Sequence, residues 1–214
     1  MAKQKSNAVD QALNFPHGDA FEARLNELMA SEDEAAVTNT VIAVLDIDHF
    51  MRVNDNFGYE LGDKVLIETA TFVKDRLPEC ATIYRIGGDE FGIIFIGEME
   101  KEEVFLLMES IRKEYDYALP DGDPLTISVG IATAFDDASR PLELMRMAES
   151  ALFRGKFAGR NKVCLAREEK MVPKTSHYTN DQLKRLTKLS KREGIGEAIL
   201  LREALDMLLK KYDL

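Results

Sequence analysis

A chain of 214 residues, 45% of them hydrophobic and with 13 glycines and 6 prolines, is long enough to bury a full α/β core and a small second unit. Two lone cysteines, Cys80 and Cys164, argue against a disulfide framework or a structural zinc site, and the longest apolar runs, "VIAVL" and "GIIFI", are too short to span a membrane. The net charge of −10 discourages a nucleic-acid reading for the bulk of the chain, and the opening "MAKQKSNAVD" has no apolar targeting core, so a cytoplasmic protein with no membrane partner is expected.

In chain order, "DAFEARLNELM" (19–29) reads as an amphipathic helix, "VIAVLDID" (41–48) as a buried strand and "LGDKVLIETATFVKDRL" (61–77) as a helix ending before Pro78. Two apolar runs then flank "RIGGDEFGII" (85–94), and the join predicts a hairpin whose Gly87-Gly88 pair suits a two-residue turn with positive φ. "KEEVFLLMESIRKEYDYAL" (101–119) predicts a long helix, "LTISVGIATA" (125–134) a β-branched strand, "RPLELMRMAESALFRGKFAG" (140–159) another helix and "KVCLA" (162–166) a short closing strand. The result is an α/β (α+β) sandwich of helices on one mixed sheet, since one connection is a hairpin and others are helical crossovers.

Charge and Pro173 in "REEKMVPKTS" mark a linker, placed at 168–173, between a unit at 8–167 and a tail at 174–214. The tail reverses the charge balance: residues 170–214 carry 10 basic and 6 acidic side chains, whereas residues 1–169 carry 18 and 32. It predicts a short strand at "TSHYT" and two amphipathic helices, 181–194 and 196–212. About 40 residues cannot bury their own leucines, so self-association is expected.

The chemistry sits at strand ends. Asp46 and Asp48 end a buried strand, where α/β proteins bind ligands, and Asp89 and Glu90 have no structural purpose against an apolar sheet. If the hairpin neighbours that strand, these acids converge on one cation or two, and oxygen-only ligation selects magnesium or manganese. Two such ions about 3.5–4 Å apart would clamp an in-line displacement at phosphorus. Asn54 and Asp63, on either side of Gly58, offer the amide and carboxylate that guanine recognition requires. Lys156 and Arg160, one helical turn apart, suit phosphate.

The ordered set "LDIDHF…VNDNFGYELGD…YRIGGDEF…ALFRGKFAGRN" resembles the GGDEF domain of diguanylate cyclases. The resemblance implies a palm-like nucleotidyl-cyclase fold with a mixed, mainly antiparallel sheet. It also implies a homodimer in which each protomer holds one GTP, and the product cyclic di-GMP. It assigns Asp46, the Ile47 carbonyl, Asp89 and Glu90 to two Mg2+ (or Mn2+) ions per GTP site, with Glu90 also available for acid-base work. Phe50, Asn54, Asp63, Gly87 and Gly88 are assigned to substrate, Asn54 and Asp63 to guanine and the glycines to close phosphate approach. Lys156 and Arg160 are assigned to the phosphates and, with Asp89 and Glu90, to catalysis. Met51 stands where the family commonly has a phosphate-binding lysine, and "PECA" (78–81) replaces the family's RxxD product-inhibition motif.

The tail resembles a ribbon-helix-helix domain, which implies a paired ribbon with Lys174, Thr175 and His177 as candidate DNA contacts. A helical dimer interface without DNA contact is the alternative reading of the same leucines. No sensor segment is read ahead of the α/β unit, so control is expected through the tail. Met51 motivates a second functional reading, a nucleotide-sensing, DNA-binding transcriptional regulator with a weak or inactive GGDEF domain.

Overall fold

The computed structural model describes residues 9–30, 40–97, 99–134, 136–166, 175–193, 197–198, 200–201, 204–205 and 208. The chain divides into two compact units, Met1–Glu168 and Glu169–Leu214.

In the first unit, helix α1 (Gly18–Met29) precedes strand β1 (Thr40–Ile47), helices α2 (Phe50–Phe57) and α3 (Tyr59–Lys74), and the hairpin strands β2 (Ala81–Arg85) and β3 (Glu90–Ile96). Helix α4 (Lys101–Glu114), the two-residue strands β4 (Tyr117–Ala118) and β5 (Pro124–Leu125), strand β6 (Ile127–Thr133), helix α5 (Pro141–Phe157) and strand β7 (Val163–Leu165) complete it. The main sheet has the order β2-β3-β1-β6-β7, with only the β6–β7 pair parallel, so the mixed, mainly antiparallel sheet is as expected.

Strand β1 is buried along all eight residues because both sheet faces are covered. Its alternation decides which helix each side chain meets. Val41, Ala43, Leu45 and Ile47 join a core with Val65 and Ala70 of α3 and Val104 and Met108 of α4. Ile42 and Val44 face the opposite way, into a core with Phe21 and Leu25 of α1 and Leu144, Ala148 and Leu152 of α5. Helix α5 lies unusually close to the sheet. A Cβ on Gly130 of β6 would stand 2.0 Å from the Ala148 carbonyl oxygen and 2.3 Å from the Leu152 nitrogen, so only glycine permits this approach.

Two local expectations are corrected and one further helix is found. The helix expected over 101–119 stops at Glu114, because Tyr115, Tyr117 and Leu119 alternate with period two and feed the β4–β5 hairpin, which turns through Pro120 and Gly122. Helix α2, not anticipated, forms between the β1 end and Gly58. The Gly87-Gly88 turn is also longer than two residues. Residues 86–89 connect the strands, and neither glycine adopts positive φ.

In the second unit, helix α6 (Asn180–Glu193) begins with a capping box: Thr179 Oγ1 accepts from the Gln182 amide at 3.2 Å and Gln182 Oε1 accepts from the Thr179 amide at 2.9 Å. The described residues of the expected second helix, 197–198, 200–201, 204–205 and 208, are helical. The short strand expected at 175–179 is not formed: these residues carry neither strand structure nor pairing. The linker and Lys174 lie outside the described residues.

Candidate active site

The site grows from two periodicities that meet. Along β1, Ile42, Val44 and Asp46 point to the same face; along α5, Leu144, Ala148, Leu152 and Lys156 form a ridge with a spacing of four. The apolar pairs pack, and the next members of each series bring Lys156 Nζ to 2.5 Å from Asp46 Oδ2. Asp46 is only 5% exposed. Burial pushes its carboxyl up to about 6, the Lys156 ammonium opposes that, and the charges of Asp89 and Glu90 add to the rise.

Asp89 and Glu90 reach this corner because β3 pairs with β1. Glu90 is the ladder partner of Asp46, and the Ile47 amide donates to the Asp89 carbonyl at 3.4 Å. The turn before them is tight, with the amides of Ile86 and Gly87 both donating to the Glu90 carbonyl, at 3.1 and 3.2 Å. A Cβ on Gly87 would lie 2.8 Å from Glu90 Oε2, so the missing side chain makes room for the Glu90 carboxylate itself. Gly88 has open space beside it. Burial, and then the charge of Glu90, also raises the carboxyl of Glu149 on α5.

On the other side of the β1 end, α2 and α3 carry Phe50, Asn54 and Asp63. A Cβ on Gly62 would fall 2.0 Å from Asn54 Oδ1 and 3.4 Å from the Phe50 ring, so Gly62 gives the amide its seat one residue before Asp63. Asn54 and Asp63 are both half-buried. Arg160 lies in the turn after α5, half-buried, with φ of 61°. Met51 is 75% exposed on the first turn of α2, and Arg52 beside it pairs with Asp123 and, at 3.7 Å, with Asp121.

Sequence reasoning missed three supports. Arg85 donates to the Gly88 carbonyl at 2.9 Å and to Asp10 at 2.5 Å, tying the turn to the residues before α1. Asp48 and Asn161 bond each other across 113 positions of chain. Sequence offered Asp48 as a strand-end carboxylate and Arg85 as the residue that immediately precedes the turn, but not the bonds that either makes.

Among the described residues no three acidic, histidine or cysteine side chains are gathered into a ready-made cation site. The donor chemistry nevertheless fits a hard divalent cation: Asp46, Asp89 and Glu90 bring carboxylate charge, Lys156 pairs with Asp46, and burial holds the Asp46 carboxyl above its ordinary range.

An antiparallel sheet with helices on both faces, and with acids at the end of its central strand and on the adjoining hairpin, is a palm-type domain. A family model described as "Diguanylate cyclase, GGDEF domain" matches residues 7–162, and the chain belongs to the GGDEF family. A second model, for a ribbon-helix-helix domain, matches residues 171–213. Among curated relatives, the diguanylate cyclase DgcP of Pseudomonas aeruginosa is 36% identical over 169 residues, covering 76% of this chain and 25% of its own length. The probable diguanylate cyclase DgcT of Escherichia coli is 33% identical over 146 residues, covering 64% of this chain and 32% of its own. The chain thus spans about a quarter to a third of these relatives. Among solved structures, the GGDEF domain of YfiN (TpbB) from Pseudomonas aeruginosa matches with a TM-score of 0.67 and 25% identity, over 73% of this chain and 99% of that one. The coiled coil and GGDEF domain of DgcB from Caulobacter crescentus, in complex with c-di-GMP, matches with a TM-score of 0.66 and 29% identity, over 77% and 88%.

Proposed function

We propose that the protein is a diguanylate cyclase that joins two GTP molecules into cyclic di-GMP across a homodimer. The observation that carries this reading is the buried Asp46–Lys156 pair set beside Asp89 and Glu90 on a GGDEF-family sheet. The 3′-hydroxyl of each GTP attacks the α-phosphorus of the other. A new P–O bond forms as the bond to the bridging oxygen breaks, pyrophosphate leaves, and the hydroxyl proton passes to a base, for which Glu90 is the candidate.

Asp46, the Ile47 carbonyl, Asp89 and Glu90 would hold two Mg2+ (or Mn2+) ions per site, which when bound supply charge neutralisation at the triphosphate. Lys156 exchanges Asp46 for a phosphate oxygen as substrate enters, and Arg160 adds a second cation. Gly87 and Gly88 let the turn backbone come near the phosphates. Asn54 and Asp63 read the guanine edge, and Phe50, which like Asn54 borders Gly62, lines the same side. Asp63 favours guanine, because a carboxylate accepts from the imino and amino groups that adenine does not present together.

The tail is proposed to hold two protomers together and so raise the effective concentration of GTP-loaded domains. In support, Leu183 (41%), Leu205 (53%) and Leu208 (50%) are exposed, and Leu183, Leu186, Leu189 and Leu201 line a groove of about 690 Å3. Among the described residues no helix is long and apolar enough to cross a membrane, and we place the protein in the cytoplasm, where GTP is available.

The test is incubation of purified protein with GTP and Mg2+ in parallel with Asp89→Ala, with products read by chromatography. Cyclic di-GMP from the wild type alone supports the reading; intact GTP at high protein concentration rejects it. Met51 favours one second reading, a nucleotide-sensing transcriptional regulator whose tail binds DNA through Thr175, His177 and Lys174. Both Thr175 and His177 are exposed. Salt-dependent DNA binding that changes with nucleotide would support it, and no binding at low salt would remove it.

A further inference from the structure

We infer that Asp48 is a positioning residue that holds the turn after α5 in a strained shape and thereby aims Arg160 at the nucleotide phosphates; the inference rests on the cyclase reading. The turn runs through three successive residues at positive φ: Gly159 at 105°, Arg160 at 61° and Asn161 at 49°. Two of them are not glycine, and such residues persist in the left-handed region only where their surroundings over-determine them. The surroundings here are specific. Asp48 is 1% exposed and uses both carboxylate oxygens: Oδ1 accepts from Ser128 Oγ at 2.8 Å, and Oδ2 accepts from Thr126 Oγ1 at 2.7 Å and from the Asn161 amide at 2.9 Å.

The turn is therefore bolted to the end of β1, two residues beyond Asp46. On its other side, Arg112 of α4 donates to Asn161 Oδ1 at 2.6 Å while forking onto Glu109, which accepts from the Val163 amide at 3.3 Å. The Arg160 amide closes the turn onto the Gly155 carbonyl at 3.0 Å. Held at both flanks, the backbone leaves the Arg160 side chain one direction to leave from, at the same helix end that presents Lys156. Asp48 touches neither Lys156 nor Asp46 through a hydrogen bond in this network, so its effect on nucleotide runs through the turn.

Asparagine at 48 is the informative substitution. Its oxygen can keep the Thr126 hydroxyl and the Asn161 amide, while its NH2 donates to Ser128, whose hydroxyl turns to accept. Alanine keeps none of these bonds. The measurement is calorimetric affinity for guanosine 5′-(α-thio)triphosphate with Mg2+ on the full-length protein, for wild type, Asp48→Asn, Asp48→Ala, Arg160→Ala and the Asp48→Ala/Arg160→Ala pair. Loss of one charge-assisted phosphate contact predicts binding about 10- to 100-fold weaker in Asp48→Ala and in Arg160→Ala, with the pair no weaker than Arg160→Ala alone. Asp48→Asn restores affinity to within about threefold.

A folded Asp48→Ala that binds as wild type, full additivity in the pair, or an Asp48→Asn as weak as the alanine variant overturns the inference. Where Asp48→Ala does not fold, amide hydrogen exchange on the wild type and on Arg160→Ala decides: the Asn161 amide is protected in both, and exchange at open-loop rates overturns the anchor. A wild type that does not bind the nucleotide sinks the cyclase reading itself, a result distinct from wild-type binding that is indifferent to Asp48.

Discussion

Replacing Asp46 by asparagine should abolish turnover and yet stabilise the metal-free fold. Its carboxyl ionises near the ordinary 3.8 in an unfolded chain and at about 6 in the folded one, chiefly because β1 buries it. The folded state thus holds the proton more tightly, so this residue's contribution to stability is full below pH 3.8, declines as pH rises through about 6, and stays low above that. At about 1.4 kcal/mol per unit the ionised carboxylate costs up to about 3 kcal/mol at pH 7.5. Asparagine removes that cost but gives up Lys156, whose side chain is 28% exposed and can turn to water, leaving a net gain of about 1 to 2 kcal/mol. Urea denaturation in EDTA at pH 5 and pH 7.5 is the assay. The wild type should lose stability between the two conditions relative to the variant, and the variant should be the more stable at pH 7.5. Added Mg2+ should raise the wild-type midpoint at pH 7.5, progressively less as pH falls through 6, and leave the variant unmoved. A variant less stable than wild type at pH 7.5 in EDTA would refute the claim that burial dominates the Asp46 environment.

Gly87→Ala should lower kcat by about 10- to 100-fold with little change in Tm, since its Cβ displaces the Glu90 carboxylate rather than core, whereas Gly88→Ala should leave the Tm unchanged. Met51→Lys should improve kcat/KM for GTP by about tenfold, a gain of one charge-assisted contact from an exposed helix position; no gain would mean that Arg52 or another cation already fills the role. Arg85→Met should cost about 1 to 3 kcal/mol by denaturation, because it removes the buried guanidinium's donations to Asp10 and to the Gly88 carbonyl. Removing residues 169–214 should reduce specific activity most at low protein concentration, and equal activity across a dilution series would show that the tail does not bring catalytic domains together.

What could be read from sequence was whatever depended on short-range period. The continuous apolar run of β1, the apolar flanks of the hairpin and the helical pattern of α5 are local, and they set the elements on which the expected site acids stand. The β4–β5 hairpin was misread for the same local reason, because "YDYAL" continues a helical composition while its spacing has already changed to two. Helix α2 went unnoticed because a single buried residue, Val53, is too little to set a period. Gly87-Gly88 was matched to a turn by composition, but its reason is the Glu90 carboxylate folded over Gly87, a contact no turn rule contains. The strand expected at 175–179, like the ribbon that the resemblance of the tail implies, has no counterpart in the described residues.

The supports that aim the site share one property: their partners are far apart in sequence. Asp48 meets Asn161, Thr126 and Ser128, and Arg85 meets Asp10, across separations that only the finished sheet defines. The division is physical. Charged groups that must meet a ligand sit at element ends, where the period that buries their neighbours also fixes their direction, as Ile42 and Val44 do for Asp46 and as Ala148 and Leu152 do for Lys156. Groups that hold those ends in place bond to backbone in turns, and turn backbone carries no period. A substitution at Lys156 should therefore change what the site binds without moving the turn, whereas Asp48→Ala should move the turn while leaving the Asp46–Lys156 pair intact. Measuring the Asp46 titration in Asp48→Asn separates the two levels: an unchanged pKa near 6 places Asp48 outside the electrostatics of the site, and a shift of a full unit would make it part of them.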